Sequence, residues 1–323
     1  MRRVAVALLI SCLFFTLASY FYRANVPSVV ASPDIHQGDL VLTGDNVTII
    51  EGLFDINGSI IVTENATLVL NNAVVNFTQA TDRQFNMTFE TPINGNPRLV
   101  TYNSTITSGL DFLVYLNDNS TAIINNSTVS RFVLANDYST LTVLNSSYIG
   151  QPRGLGFSNI TVYNSTMGEW HNYDSPWVEV YDSKIASIVI GSTSVNCTIS
   201  DLKAGNMSYW NFLTNCSVVF LAGGYCPNVT FVNTRVDWWR FGFYGTSNAI
   251  VTNSTIGEAS AISGSSTINL TKSTVSYAYC ADSCTLWIDD SLIDSLYAGG
   301  SSTAWLLNTT CNAFSVYGSA RVH

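Results

Sequence analysis

Apolar residues alternate with polar ones in short runs, and these runs repeat every 18 to 20 residues along most of the chain. If one residue of each repeat is numbered zero, apolar side chains recur at −4, −2, +3, +6 and +8. A spacing of two is the period of a β-strand, and the change of phase after position zero indicates a corner. For the zero position Asp290, the apolar residues are Leu286, Ile288, Ile293, Leu296 and Ala298. The zero positions are Asn103, Asn126, Asn145, Asn164, Asp182, Asn196, Asn215, Asn233, Asn253, Lys272, Asp290 and Asn308.

Short strands joined by corners at so short a repeat predict a parallel β-solenoid, in which each coil stacks on the previous one at about 4.8 Å. Five inward side chains stabilise a coil by roughly 1.5 to 3 kcal/mol each, whereas ordering a coil costs about 1.5 kcal/mol per residue. A single coil therefore cannot fold alone, and stacked coils share the buried surface. We predict an all-β chain with one solenoid domain over residues 35–323.

The repeat, together with stretches such as GDLVLTGDNVTIIEG and LVLNNAVVNFT, resembles the right-handed parallel β-helix proteins of the pectin-lyase-like superfamily. The resemblance covers about residues 35–323 and is closest to exported β-helix proteins of archaea and bacteria. It implies right-handed coils of 18 to 20 residues. Polygalacturonases of that superfamily have NTD, GHG and RIK elements, which this sequence lacks. The resemblance therefore implies the fold and argues against its polysaccharide-cleaving chemistry.

The N-terminus predicts export. Arg2 and Arg3 precede an uncharged apolar run from Val4 to Tyr22, which is long enough for a hydrophobic helix that crosses a bilayer. Residues 1–24 are thus either a cleaved signal peptide or a membrane anchor, and residues 25–34 a linker. We place the remainder outside the cell, secreted or attached to the cell surface.

Two further segments interrupt the regular repeat. Residues 78–98 break the period and predict a loop insertion on one corner. The last coil is an ordinary repeat without a recognisable cap, and uncapped solenoid ends favour edge-to-edge pairing. Either the natural protein continues past His323, or the bare end is a joint to another subunit, which predicts self-association through the C-terminal coil.

Charge excludes one class of partner. Charged residues are 11% of the chain, the net charge is −9 and the isoelectric point is about 4.6. Because affinity for nucleic acid depends mainly on Lys and Arg, we expect no nucleic-acid partner. The sequence also offers no CxxC pair, and we predict neither a metal site nor a cofactor.

The cysteines predict structural roles. Cys197 and Cys216 both occupy position +1 on consecutive coils, where the stacking distance suits a disulfide. Cys280 and Cys284 either close a corner loop or leave Cys280 as a buried thiol. The pairing of Cys226 and Cys311 stays open.

The chain contains 19 N-x-S/T sequons, against about 7 expected by chance from its Asn, Ser and Thr content. This excess predicts N-glycosylation of an exported surface. Asparagine at a corner also suits the left-handed backbone conformation. At corners, we therefore attribute the asparagine first to turn formation and only second to glycosylation. The corner candidates for glycosylation are Asn103, Asn126, Asn164 and Asn253. The candidates away from corners are Asn86, Asn206 and Asn269.

Few residues suggest chemistry. Glu169, His171 and Asp174 cluster near aromatic residues and are weak catalytic candidates. The alternative is a surface turn that carries these polar side chains without a catalytic role. Trp170 in the same segment occupies an inward position. Around the inward Trp239, an outward ion-pair ladder is expected from Arg235, Asp237 and Arg240, with Glu258 one coil later.

Trp287 and Trp305 both fall at position −3, which predicts a stacked outward pair on adjacent coils. A stacked outward pair of this kind is suited to contact a partner subunit or a capping segment, or to bind carbohydrate.

We expect a non-catalytic exported β-helix with a structural or adhesive role in the cell envelope or an extracellular assembly. A polysaccharide lyase or glycoside hydrolase is the first alternative, and a carbohydrate-binding module the second.

Overall fold

A computed structural model describes residues 28–30, 35–91, 95–145, 148–172, 177–189, 192–195, 197–204, 210–223, 228–243, 248–262 and 265–323. These residues form strands and turns and contain no helix, so none of their segments is a helix able to cross a membrane. The predicted signal or anchor at 1–24 lies outside them.

The strands are short and numerous. They are β1 (Ser28–Val30), β2 (His36–Gln37), β3 (Leu40–Leu42), β4 (Val47–Asn57), β5 (Ile60–Thr63), β6 (Thr67–Phe77), β7 (Met87–Glu90), β8 (Arg98–Tyr102), β9 (Thr105–Ser108), β10 (Leu113–Leu116), β11 (Thr121–Asn125), β12 (Thr128–Ala135), β13 (Thr140–Leu144), β14 (Tyr148–Gly154), β15 (Asn159–Tyr163), β16 (Thr166–Asn172), β17 (Trp177–Tyr181), β18 (Lys184–Val189), β19 (Ser192–Val195), β20 (Thr198–Ala204), β21 (Trp210–Thr214), β22 (Ser217–Gly223), β23 (Asn228–Val232), β24 (Arg235–Phe243), β25 (Asn248–Thr252), β26 (Thr255–Ile262), β27 (Thr267–Thr271), β28 (Thr274–Cys280), β29 (Thr285–Asp289), β30 (Leu292–Ala298), β31 (Thr303–Leu307), β32 (Thr310–Val316) and β33 (Arg321–Val322).

From β11 onward, each strand pairs in parallel with the strand two places along the chain, so that equivalent strands of successive coils stack. Thus β27, β29 and β31 form one ladder, and β28, β30 and β32 form another. The register advances by one repeat, for example from Leu286 to Ala304. The fold is therefore the predicted parallel β-solenoid, and it is consistent with a right-handed β-helix.

The coil at Asp290 shows how the pattern makes three sides. Strand β29 alternates in burial, the corner follows, and β30 then presents Asp294 and Ser295 outward in succession. This break in alternation bends the strand, because neighbouring residues of a straight strand face opposite sides. A tight turn at residues 299–302 closes the coil. The five predicted inward residues of this coil are each at most 2% exposed.

The corner residues adopt the left-handed conformation that the sequence predicts. Asn253, Asp182 and Asp290 have φ of 48°, 49° and 48°. Lys272 has the same geometry, with φ of 50°, although lysine is not a usual left-handed residue. The corner position therefore imposes the conformation, and Asn and Asp fill it at the lowest strain.

Two segments that the sequence places outside the regular coils contain strands of the solenoid. Within the expected loop 78–98, β7 pairs with both β5 and β10 and is a regular rung of the solenoid. The apolar residues Met87 and Phe89 of β7 are fully buried. Two apolar residues are too few to establish the repeat in the sequence, so the strand was not predicted. Within the expected linker 25–34, β1 pairs with β4 and adds a further rung.

Candidate functional site

The corner asparagines form a ladder of side-chain amides along the outside of the solenoid. The Nδ2 of Asn253 donates to the Oδ1 of Asn233 one coil earlier at 2.7 Å, and Asn164 donates to Asn145 at 2.9 Å. The same bond joins Asn233 to Asn215, Asn126 to Asn103, and Asn103 to Asn72. Asparagine at these corners therefore serves both the turn and the contact between coils. Glycosylation of Asn103, Asn126, Asn164 and Asn253 stays a prediction.

A buried hydroxyl follows several of these corners. The Oγ of Ser254 donates to the carbonyl of Thr252 at 2.8 Å and accepts from the backbone N–H of Thr234, one coil earlier, at 3.1 Å. The equivalent donation to the residue before the corner is made by Ser104, Ser127, Ser165, Ser183, Thr234, Ser273, Ser291 and Thr309. Sequence reasoning missed this hydroxyl ladder. The signal was present, since Ser or Thr follows position zero in ten of the twelve repeats.

Cysteine occupies the hydroxyl ladder in the remaining two repeats. Cys197 and Cys216 are 2% and 4% exposed and are thiols in the structure, so the predicted disulfide is not formed there. The Cys216 thiol donates to the carbonyl of Thr214 at 3.4 Å, as the serines do. A hydrogen bond from Cys197 lowers the pKa of Cys216, although burial opposes it. The two thiols are thus in contact, and their oxidation to a disulfide stays a prediction.

Cys280 and Cys284 form a disulfide, which resolves the two alternatives left by the sequence. The bond spans the tight turn between β28 and β29, with the two Cα atoms 6.0 Å apart. Both cysteines are buried. Cys311 is a partly buried thiol, and burial raises its pKa.

The weak catalytic candidates are only partly brought together. Glu169 and His171 lie on β16, with Oε2 and Nε2 3.9 Å apart and side chains 62% and 33% exposed. The register places Arg153 of β14 beside His171. Trp170 is fully buried, as its inward position predicts. Asp174 lies outside the described residues.

The expected ion-pair ladder around Trp239 is represented by one pair within a single strand. Arg235 Nε lies 2.6 Å from Asp237 Oδ1, and the Arg235 side chain is 70% exposed. This bond joins residues two apart on β24 rather than residues on successive coils. The side chains of the other expected members, Arg240 and Glu258, lie outside the described residues.

Trp287 and Trp305 stack on the outer surface, as their common position predicts. Their ring centroids are 5.2 Å apart, the planes differ by 9°, and the residues are 47% and 38% exposed. His323 extends the stack, at 4.1 Å from Trp305. Trp305 therefore has a ring against each face, while the free face of Trp287 points toward the preceding coil. Sequence reasoning missed His323, although it follows Trp305 by 18 residues, one repeat length.

A second aromatic ladder runs along the outer side formed by β28, β30 and β32. Tyr297 lies 4.5 Å from Tyr279 and 4.9 Å from Tyr317 between ring centroids. Burial raises the pKa of Tyr297, and the negative charges that Tyr279, Tyr317 and Tyr277 would acquire raise it further. This ladder stabilises the neutral phenol.

The predicted glycosylation sites away from corners differ from one another. Asn86 donates from Nδ2 to the carbonyl of Arg83 at 3.2 Å and accepts from the backbone N–H of Leu113 at 2.9 Å. This asparagine therefore has a structural role that sequence reasoning missed. Asn269 lies on β27 in register with Trp287. Asn206 lies outside the described residues.

Comparisons with known proteins give no match to a family model, to a curated protein or to a solved structure. The fold alone therefore defines the class of this chain, a parallel β-solenoid with amide and aromatic ladders on its surface.

Proposed function

We propose that this chain is a non-catalytic, exported β-solenoid with a structural or adhesive role at the cell surface or in an extracellular assembly. The observation that supports this role best is the regular exterior, in which amide and aromatic ladders repeat between coils. Ladders of this kind stabilise the contacts between successive coils. The apolar segment before the solenoid and the sequon excess favour export.

Protease treatment of intact cells tests this role. An antibody to the solenoid should detect a full-length protein that disappears when a protease is added outside the cells, while a cytoplasmic control protein survives. Persistence of the solenoid in intact cells, with its loss only after lysis, would contradict surface exposure.

Self-association through the C-terminal coil is part of the proposal. Phe314 and Val316 of β32 are 66% and 42% exposed, although the equivalent residues one coil earlier are buried. We expect the sedimentation coefficient of the purified protein to rise with concentration, and Phe314→Ser to abolish the rise. Concentration-independent monomers would exclude this contact.

Polysaccharide processing is the second candidate, favoured by the convergence of Glu169, His171 and Arg153 on neighbouring strands. A carboxylate and an imidazole at this separation can act as an acid and a base. The test is hydrolysis or elimination on acidic and neutral polysaccharides, comparing the wild type with a Glu169→Ala/His171→Ala variant. Equal rates for both proteins would exclude the site.

A further inference from the structure

Two exposed tryptophans each lie one rung after the asparagine of a sequon. Trp177 is 63% exposed and pairs in register with Asn159 of Asn159-Ile160-Thr161. Trp287 is 47% exposed and pairs with Asn269 of Asn269-Leu270-Thr271. Apart from Trp305, which stacks on Trp287, these are the exposed tryptophans among those whose side chains the structure describes.

The amides of Asn159 and Asn269 differ from those of most other sequons. Within the described part of the chain, neither side chain makes a hydrogen bond. By contrast, the Nδ2 groups of Asn76 and Asn86 donate to Asp55 and to the Arg83 carbonyl. The two amides beside the tryptophans are therefore available for modification.

The distance between adjacent rungs suits the stacking of a sugar ring, attached to the asparagine, on the tryptophan of the next rung. Adjacent rungs of a parallel sheet are about 4.8 Å apart, and the Trp287 and Trp305 centroids are 5.2 Å apart. A six-membered ring attached to Asn269 would therefore lie against the free face of Trp287, as Trp305 lies against the other. A pyranose has one face of C–H groups, which can cover indole surface that is otherwise exposed to water.

We propose that Asn159 and Asn269 carry N-linked glycans whose first sugar packs against Trp177 and Trp287. In the transfer, Nδ2 attacks the anomeric carbon of a lipid-diphosphate-linked oligosaccharide. The bond from that carbon to the phosphate oxygen breaks, the lipid diphosphate leaves with its electron pair, and the amide proton passes to solvent.

This inference rests on the proposed export, because the transfer occurs in a secretory compartment. The test therefore uses a secretory eukaryotic host, which exports the full chain through an added signal peptide. Glycopeptide mass spectrometry gives the occupancy of each sequon. An endoglycosidase, used under native conditions, then trims each glycan to one N-acetylglucosamine. The thermal unfolding of the trimmed protein is then measured.

The substitution Thr161→Ala removes the acceptor sequence while leaving Asn159 and Trp177 in place. We expect it to lower the Tm of the trimmed protein by about 2 °C, but to have no such effect in a Trp177→Ala background. Thr255→Ala, which removes the sequon at corner Asn253, is the matched control. The same variants made in a host without glycosylation measure the effect of Thr→Ala alone.

Unoccupied Asn159 and Asn269, or equal Tm losses with and without Trp177, would overturn the inference. Failure of the proposed surface role would appear instead as protection from protease in the source cells, with these host-cell results unchanged.

Discussion

At the scale of single residues, the corner imposes a demand that few side chains meet. Position zero needs a left-handed backbone, as at Asn253, and an amide there also bonds to the previous coil. The sequon letters at this corner thus each have a structural reason. Asn253 forms the turn, Ser254 fills the buried ladder, and Thr255 begins β26.

Asn253→Ala should destabilise the protein by about 1 to 2 kcal/mol, because Ala resists the left-handed conformation. Asn253→Gly should recover most of this loss, since glycine adopts the conformation freely. Urea unfolding of protein made without glycosylation measures both effects. Asn159→Ala, at an exposed asparagine with negative φ, is the control. Equal losses for Asn253→Ala and Asn253→Gly would show that the amide ladder, and not the backbone, sets the cost.

Ser254→Ala should cost about 1 to 3 kcal/mol, because it leaves the buried backbone N–H of Thr234 without its partner. Ser254→Thr and Ser254→Cys should cost less, since Thr234 and Cys216 occupy the same ladder position. The measurement is the free energy of unfolding in denaturant. A Ser254→Ala variant as stable as the wild type would contradict a stabilising hydroxyl ladder.

Single residues also show where sequence reasoning fails. The periodic pattern was sufficient to place Leu286 and Ile288 inside, because burial follows strand alternation. The pattern could not show that Asn86 bonds to Leu113, because that contact joins two coils through an irregular turn. Contacts between residues outside the repeat cannot be predicted from the periodicity and are seen only in the folded structure.

At the scale of elements, ladders form wherever one residue type recurs at one position. The Trp287 and Trp305 stack was predictable because both lie at −3 on adjacent coils. The rung β7 was not, because the long coil around it contains irregular turns and lacks the usual corner. A strand of four residues is too short for alternation to distinguish it from a loop.

The tyrosine ladder should make stability depend on alkaline pH. Because the folded state raises the pKa of Tyr297, its contribution is present below the usual tyrosine pKa of about 10. It is lost as the pH rises through the higher folded value, since the folded protein binds this proton more tightly. The unfolding midpoint in urea, measured at several alkaline pH values, should fall less steeply in Tyr297→Phe than in the wild type. Parallel pH profiles would rule out this contribution.

At the scale of the whole molecule, the coils are interchangeable units. In the part of the chain that the structure describes, twelve residues at the position-zero corner, from Asn72 to Asn308, share a φ between 44° and 53°. Each coil contacts mainly its two neighbours, so stability is approximately a sum over coils and interfaces. The sequence predicted this architecture because the repeat is continuous over most of the chain.

Deleting residues 253–271 should leave a folded solenoid that is shorter by one rung, about 4.8 Å. Lys272 then takes the position of Asn253, and β28 stacks on β24 in the register of β26. Circular dichroism should show an unchanged β spectrum, with a lower unfolding midpoint. Deletion of residues 253–262 is the control, because removing about half a coil misaligns the columns and should prevent folding. A folded half-coil deletion, or an unfolded whole-coil deletion, would contradict exchangeable coils.

The amide ladder also gives the rod a direction. Asn233 accepts from Asn253 of the later coil and donates to Asn215 of the earlier one, and the bonds from Asn164, Asn126 and Asn103 run in the same direction. A joint that continues this chain of donors must place the start of one rod on the end of another. Two identical ends would meet with donor facing donor or acceptor facing acceptor. A filament built this way would therefore be polar, with two chemically different tips and growth that can differ between them.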